Sequence, residues 1–156
     1  MFPNRQHDPA EQARSLLGNL SAYNVKFNRI MLDIEGSSWN NYSITENEQF
    51  MASLRDTFDM YVVTRDVLMV YTGPLWATYF GPNFTMFNDT PLVYAHYDNI
   101  PSFYDYFYAP YGGWTTPSGK QFFDGQYPEI VCNFSVDWDW SPSPFWSQPP
   151  FYQYEI

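Results

Sequence analysis

Helix-start signals alternate with short, continuous apolar runs in the first two thirds of the chain. Asp8-Pro9 offers an N-cap followed by proline at the first helical position, and predicts a helix to about Tyr23. Ser43-Ile44-Thr45-Glu46 is a capping box that begins a second helix. Apolar runs over 27–35, 67–72 and 91–97 lie between and after these helices. Uniformly apolar strands that alternate with helices indicate an α/β protein with a parallel sheet or barrel.

The later part of the chain follows a different pattern. A helical turn is expected over 75–80, and two weaker strands over 120–123 and 134–138 follow without helices between them. The buried face of the second helix is predicted from helical spacing to be Phe50, Leu54, Phe58 and Tyr61. From Ser141 onward the sequence is rich in proline and aromatic residues and should be extended. We therefore expect one domain over 1–140 and an extended tail over 141–156.

Composition and charge exclude several classes of function. A chain of 156 residues with 45% hydrophobic residues can fold as one domain with a proper core. The net charge of −10, with only seven Lys and Arg residues, argues against nucleic acids and anionic membrane surfaces as partners. No apolar run reaches the ~18 residues that a membrane span needs. A single cysteine, Cys132, and two histidines indicate no internal disulfide, no metal site and no cofactor.

Five Asn-x-Ser/Thr sequons stand in the sequence, and the N-terminal residues lack the basic and apolar regions of a signal peptide. One interpretation is passage through a secretory pathway, with this chain as a fragment or a processed form. The other is an Asn-, Ser- and Thr-rich composition. The sequons begin at Asn19, Asn41, Asn83, Asn88 and Asn133.

Asp33 and Glu35 are the most informative polar residues. They end an apolar strand at positions i and i+2, which face the same side, and Gly36 follows. The carboxyl ends of strands are where α/β barrels place catalytic groups. Two carboxyls in one polar cavity can hydrolyse glycosides, one as a proton donor and one as a stabiliser of positive charge. The alternative is a solvated loop end or an ion-pair partner.

Other side chains could complete such a site. Asp137 and Asp139 share one face of the last strand, and Asp137 would be a third carboxylate or an acid at the rim. His96 could act as an acid or base, although a hydrogen-bonded structural role is favoured. Flat aromatic rings suit sugar faces, and ordinary packing is the alternative for each of them. The aromatic candidates are Trp39, Tyr71, Trp76, Tyr94, Tyr97, Trp114 and Trp138.

The ordered motifs of the chain resemble those of the glycoside hydrolase family 25 lysozymes, in particular the branch found in nematodes, amoebae and other protists. Each motif is short, but together they cover about residues 27–140 in family order. They are Leu32-Asp33-Ile34-Glu35-Gly36, Val70-Tyr71-Thr72-Gly73 with Trp76, Val93-Tyr94-Ala95-His96-Tyr97-Asp98, Pro101-Ser102-Phe103, Gly112-Gly113-Trp114, Lys120-Gln121-Phe122 and Val136-Asp137.

The resemblance implies a TIM-like (β/α)5β3 barrel that cleaves the β-1,4 bond after N-acetylmuramic acid in peptidoglycan. It implies Glu35 as the general acid. Asp33 would stabilise an oxazolinium- or oxocarbenium-like state, and Asp137 would be the acid of the last strand. It also implies that Tyr71 and Tyr94 line the cleft, and that no metal is needed. Further expected substrate contacts are Trp76, His96, Tyr97, Trp114 and Gln121. Action would be in a secreted, phagosomal or lysosomal setting.

The chain departs from the family pattern at its start. The family barrel has eight strands, whereas this sequence supplies about five, with two main helices, and Met1-Phe2-Pro3 resembles the end of the strand before them. An incomplete barrel has open edges, so we expect a second copy of the chain or a complementing chain to cover them. An alternative function is a catalytically inactive, lysozyme-derived interaction or glycan-binding protein held in a larger assembly.

Overall fold

The computed structural model describes residues 1–61, 67–125, 130–131 and 134–142. Cys132, the sequon asparagine Asn133 and nearly all of the Pro-rich tail, residues 143–156, lie outside the described residues.

Both long helices begin where their capping residues predict. Helix α1 spans Pro9–Ala22, and Oδ1 of its N-cap Asp8 accepts a hydrogen bond of 2.7 Å from the Glu11 amide. Helix α2 spans Ile44–Tyr61, and Ser43 and Glu46 form a reciprocal capping box ahead of it. The two pairs satisfy amide groups that a helix N-terminus leaves without an intrahelical acceptor.

The buried face of α2 differs from the prediction at its C-terminal end. Phe50, Leu54 and Phe58 are buried as expected, and Met51 is buried beside them. Tyr61 is 39% exposed, so its assignment to the buried face is wrong. The helix ends at Tyr61, and Met60 beside it is exposed as well. A short third helix, α3, spans Trp76–Phe80, and 3-10 turns span Ser37–Asn41 and Tyr106–Tyr108.

The main sheet contains five strands in the order β1-β2-β3-β4-β7, and with the two long helices it confirms the predicted α/β class. The first four strands are parallel, and β7 pairs antiparallel with β4. The strand expected over 134–138 is divided: β6 pairs with β5 in a separate hairpin, and β7 begins only at Trp138. The strands are β1 Ile30–Ile34, β2 Leu68–Thr72, β3 Leu92–Ala95, β4 Gly119–Phe123, β5 Ile130–Val131, β6 Phe134–Ser135 and β7 Trp138–Trp140.

Met1 lies beside β1 in the manner of a parallel neighbour. Its amino group donates to the Met31 carbonyl at 2.5 Å, and the Asp33 amide donates to the Met1 carbonyl at 2.8 Å. These bonds use the edge of β1 that does not pair with β2. Met1 therefore satisfies backbone groups on the outer edge of β1.

The two faces of the sheet carry different residues. Leu32, Val70 and Leu92 belong to the large core that also includes residues of α1, α2 and α3. Met69 and Val93, one position away in sequence from core residues, lie on the opposite face with Tyr71. Alternation along each strand thus separates a helix-covered face from a second, helix-free face within the described structure.

Candidate active site

A cavity of about 200 Å³ opens on the helix-free face, at the end of the sheet where the parallel strands finish. Its lining combines four carboxyls with two polar side chains and two apolar ones. The lining residues are Met31, Asp33, Glu35, Tyr71, Val93, Gln121, Asp137 and Asp139.

Strand β1 brings Asp33 and Glu35 to this cavity by its two-residue period. Ile34, between them, is fully buried in the core on the other side. Gly36 follows with φ of +85°, a backbone conformation that favours glycine, and turns the chain away from the sheet. The structure therefore places both predicted carboxyls on one face, with the more enclosed of the two inside the strand.

Asp33 sits in an unusual electrostatic position. Burial first, and then the nearby charge of Glu35, raise the pKa of Asp33 to about 6. Its buried Oδ1 atom has no hydrogen-bond partner among the described residues. A carboxyl that lines a cavity and has a raised pKa is a candidate for proton or charge chemistry.

Tyr71, Tyr97 and Gln121 form a polar network beside the acids. The Tyr71 hydroxyl donates to Gln121 Oε1 at 2.7 Å, and the Tyr97 hydroxyl donates to the same oxygen at 3.0 Å. The two hydroxyl oxygens are 3.4 Å apart. Burial, then the hydrogen bond with Tyr97, raise the pKa of Tyr71 above its usual range, so its hydroxyl remains a donor. All three predicted residues meet at one rim of the cavity.

The last strand contributes two acids. Asp137 lines the cavity, and its Oδ1 accepts a hydrogen bond of 3.0 Å from the Gly125 amide. Asp139 lines the cavity as well, opposite Gln121 in the β4–β7 register. Partial burial, then the charge of Asp137, raise the pKa of Asp139. Asp137 is among the site residues predicted from the sequence and Asp139 is not, although its two-residue spacing from Asp137 places both on one face.

Tyr94 does not reach the cavity. Asp33, Tyr71 and Val93 are register partners on β1, β2 and β3, so the side chain next to Val93 points to the other face. There the Tyr94 hydroxyl donates to Asp105 Oδ1 at 2.7 Å. Tyr94 thus makes a structural hydrogen bond and does not line the cavity.

Trp76 and Trp114 also lie away from the cavity, in the helix-side core. Trp76 is 0% exposed and its ring centroid is 5.0 Å from that of Trp114. The indole of Trp114 donates to the Thr90 carbonyl at 2.7 Å. Packing therefore accounts for both rings, and the structure does not place them where a cavity ligand would lie.

His96 belongs to a charged cluster behind the rim. Its Nδ1 is 2.6 Å from Asp105 Oδ2, which agrees with the favoured structural role. Buried Lys120 donates to both oxygens of Asp98 and to Asp105 Oδ1, at 2.7–2.8 Å. His96, Asp98 and Asp105 have ligand atoms within 4.8 Å of one another. The Lys120 ammonium already supplies the positive charge there, so the cluster needs no metal ion.

Paired carboxyls in a cavity with adjacent hydroxyl and amide groups are the equipment of glycoside hydrolases.

None of the helices in the described part of the chain is long and apolar enough to cross a membrane.

Comparisons with known proteins agree with that class. Residues 1–122 match the family model described as Lysozyme-like protein 1. The chain is 34% identical over 134 residues to a probable GH family 25 lysozyme 2 from Dictyostelium discoideum. The matched region covers 85% of this chain and 58% of that protein.

Two solved structures have a similar fold. A muramidase from Acremonium alcalophilum matches with a TM-score of 0.62 at 18% identity, over 91% of this chain and 65% of the other. The Clostridium perfringens spore cortex lytic enzyme SleM matches with a TM-score of 0.61 at 25% identity, over 89% of this chain and 46% of the other.

The chain belongs to the lysozyme-like family, among the glycoside hydrolase family 25 lysozymes. It spans 58% of the length of the Dictyostelium lysozyme that it matches.

Proposed function

We propose that this chain carries the acid site of a muramidase, which hydrolyses the β-1,4 bond between N-acetylmuramic acid and N-acetylglucosamine in peptidoglycan. The observation that carries the proposal is the shared cavity of Asp33, Glu35 and the two acids of the last strand. The family membership supports the substrate class.

Glu35 is the proposed general acid. It stands at the end of β1 and is exposed, so a leaving glycosidic oxygen can approach it from solvent. Proton transfer to that oxygen lets the C–O bond break while the sugar gains positive charge. Gly36 directly after it directs the chain away and leaves the approach free.

Asp33 is the proposed stabiliser of the positive charge. In the ionised form it would face the oxazolinium-like state that forms with the help of the substrate's own acetamido group. Asp33 can serve in that role because it lines the same cavity as Glu35. The carboxylate of Asp137 lies across the same cavity and adds negative potential.

The hydroxyl and amide groups of Tyr71, Tyr97 and Gln121 would orient the sugar. Gln121 Oε1 accepts both tyrosine hydrogen bonds, and the Gln121 side chain is also hydrogen-bonded to Asp139, so Gln121 holds the two hydroxyls and this acid in one polar network. The aromatic body of Tyr71 gives that part of the cavity a flat apolar wall.

The direct test is release of reducing ends from insoluble peptidoglycan between about pH 4 and pH 7, by the chain and by Glu35→Gln. We expect the variant to lose activity by about 100-fold or more with its folding unchanged, because the side chain is exposed and nearly isosteric. Glu11→Gln, on the exposed side of α1, controls for the loss of one charge.

Comparable turnover by Glu35→Gln would refute the role of Glu35. No release from a folded wild-type sample would favour the alternative, an inactive lysozyme-derived binding protein. The expected second copy or complementing chain, and a secreted, phagosomal or lysosomal location, remain predictions. Sedimentation of the same samples tests the former.

A further inference from the structure

We propose that the chain has a second carbohydrate-binding surface, an aromatic patch of Tyr104, Phe107 and Tyr108, which holds a polysaccharide strand outside the cavity. The inference rests on the proposed function for the identity of the glycan. It does not rest on catalysis.

The three rings of the aromatic patch are strongly exposed. Tyr104 is 70%, Phe107 56% and Tyr108 71% exposed, although large aromatic side chains are on average well buried. Tyr104 and Tyr108 meet edge to face, with ring centroids 5.0 Å apart and planes at 84°, and their hydroxyls are hydrogen-bonded. Rings with an apolar face and a polar edge suit the faces and hydroxyls of pyranose sugars.

The backbone beneath the aromatic patch is held firmly. Tyr106, between the exposed rings, is buried, and its hydroxyl donates to the Tyr111 and Trp114 carbonyls at 3.2 Å. Phe103 packs against Trp140, with centroids 5.0 Å apart. Because these anchors fix the loop, little conformational entropy is lost when the rings meet a ligand.

The aromatic patch carries no free charge. Asp98 and Asp105 are the only charged residues between positions 97 and 119, and both are bonded to Lys120. A neutral surface on a chain with net charge −10 is where an uncharged or weakly anionic sugar strand meets the least repulsion.

One loop of the chain connects the cavity rim with the patch. Tyr97 begins that loop at the cavity rim, where its hydroxyl donates to Gln121. The contact between His96 Nδ1 and Asp105 Oδ2, at 2.6 Å, returns the loop to the residue beside Tyr104. In this proposal a glycan long enough to span the loop engages both places, whereas a short oligosaccharide fills the cavity alone.

The size of the patch argues against a second copy of the chain as its occupant. Three such rings at these exposures offer roughly 400 Å², if a fully exposed ring offers about 200 Å². A stable protein interface buries about 800 Å² on each side. Two copies of net charge −10 would also repel each other.

The test is binding to insoluble peptidoglycan, with every variant in the Glu35→Gln background so that the probe is not digested. We expect the triple variant Tyr104→Ala, Phe107→Ala and Tyr108→Ala to bind about tenfold more weakly or worse. Tyr23→Ala, a 79% exposed ring at the end of α1, is the matched control and should bind normally. Replacing the three residues by tryptophan should retain binding, and thermal unfolding checks that each variant is folded.

Equal binding by the triple variant, or no binding by the parent, would overturn the inference. So would a concentration-dependent dimer in sedimentation that the triple variant abolishes, since the occupant would then be a second copy. Patch-dependent binding without hydrolysis by the wild type would leave this inference standing while the proposed hydrolase fails. If hydrolysis depends on Glu35 but binding does not depend on the patch, the proposed hydrolase stands and this inference fails.

Discussion

The ammonium group of Lys120 bonds both oxygens of Asp98, at 2.8 and 2.7 Å, from a side chain that is 0% exposed. Lys120 lies on β4 next to Gln121, and Asp98 follows Tyr97. The ion pair thus joins the direct sequence neighbours of Tyr97 and Gln121. It ties the loop after β3 to β4, and so fixes the distance between Tyr97 and Gln121.

Lys120→Met should destabilise the chain by about 3 kcal/mol, since it leaves Asp98 and Asp105 without their cation in a half-buried place. Urea unfolding at pH 7 measures the loss. Lys26→Met removes an exposed lysine and should change the free energy of unfolding little. A loss below about 1 kcal/mol for Lys120→Met would contradict the structural role of the pair.

Asp33→Asn should stabilise the folded chain at neutral pH. The pKa of Asp33 is about 6 in the fold against an ordinary 3.8, so the folded state binds this proton more tightly than the unfolded state does. Ionisation then costs folding stability, increasingly as pH rises from about 4 to 6, and fully above that range.

Asparagine carries no charge and avoids this cost, so the variant should gain about 1–2 kcal/mol at pH 7.5, after allowance for the partial exposure of the carboxyl. The gain should vanish near pH 3.5. Unfolding at both pH values measures it, with Asp56→Asn as an exposed control for the lost charge. A pH-independent gain would show that the buried charge of Asp33 is not its source.

Gly112→Ala should cost at least ~2 kcal/mol, from left-handed backbone and overpacking together. Gly112 has φ of +63°, and an added Cβ would lie 2.2 Å from a ring carbon of Trp114, which is itself packed in the core. Gly18→Ala is the informative control, because that glycine is inside α1 with nothing within 4 Å of the added methyl.

The control substitution should raise stability by about 0.5–1 kcal/mol through helix propensity. Thermal unfolding of both variants gives the comparison. Equal effects at the two glycines would mean that Trp114 can move aside at little cost.

Tyr94→Phe should lower the free energy of unfolding by about 1–2 kcal/mol, because it removes a donor to Asp105 in a part-buried network. Tyr61→Phe, at the exposed end of α2, controls for loss of a phenol hydroxyl. Urea unfolding distinguishes the two, and an unchanged stability for Tyr94→Phe would place its hydroxyl outside that network.

The two-residue period of a strand was enough to predict that Asp33 and Glu35 share one face, since this period depends only on local geometry. Capping chemistry likewise located the starts of both long helices. Tyr94 was not predictable in the same way, because its face depends on how β3 is registered against β2.

For Trp76, the sequence could not distinguish a core ring from a rim ring. A core tryptophan and a rim tryptophan can have the same kinds of residue beside them in sequence. The packing of Phe80, Phe84 and Trp114 around Trp76 decides that its ring is in the core. Lys120 illustrates the same limit. A lysine in a strand normally indicates exposure, whereas here two carboxylates from a distant loop make its complete burial stable.

The division of each strand between a core face and a cavity face has an evolutionary consequence. Met31, Tyr71, Val93 and Gln121 face the cavity, whereas the packing under the helices comes mainly from neighbouring positions of the same strands. Selection for a new glycan can therefore act on one set of positions while selection for folding acts on the other. Such a scaffold can diversify its specificity by single substitutions, and inherit its architecture unchanged.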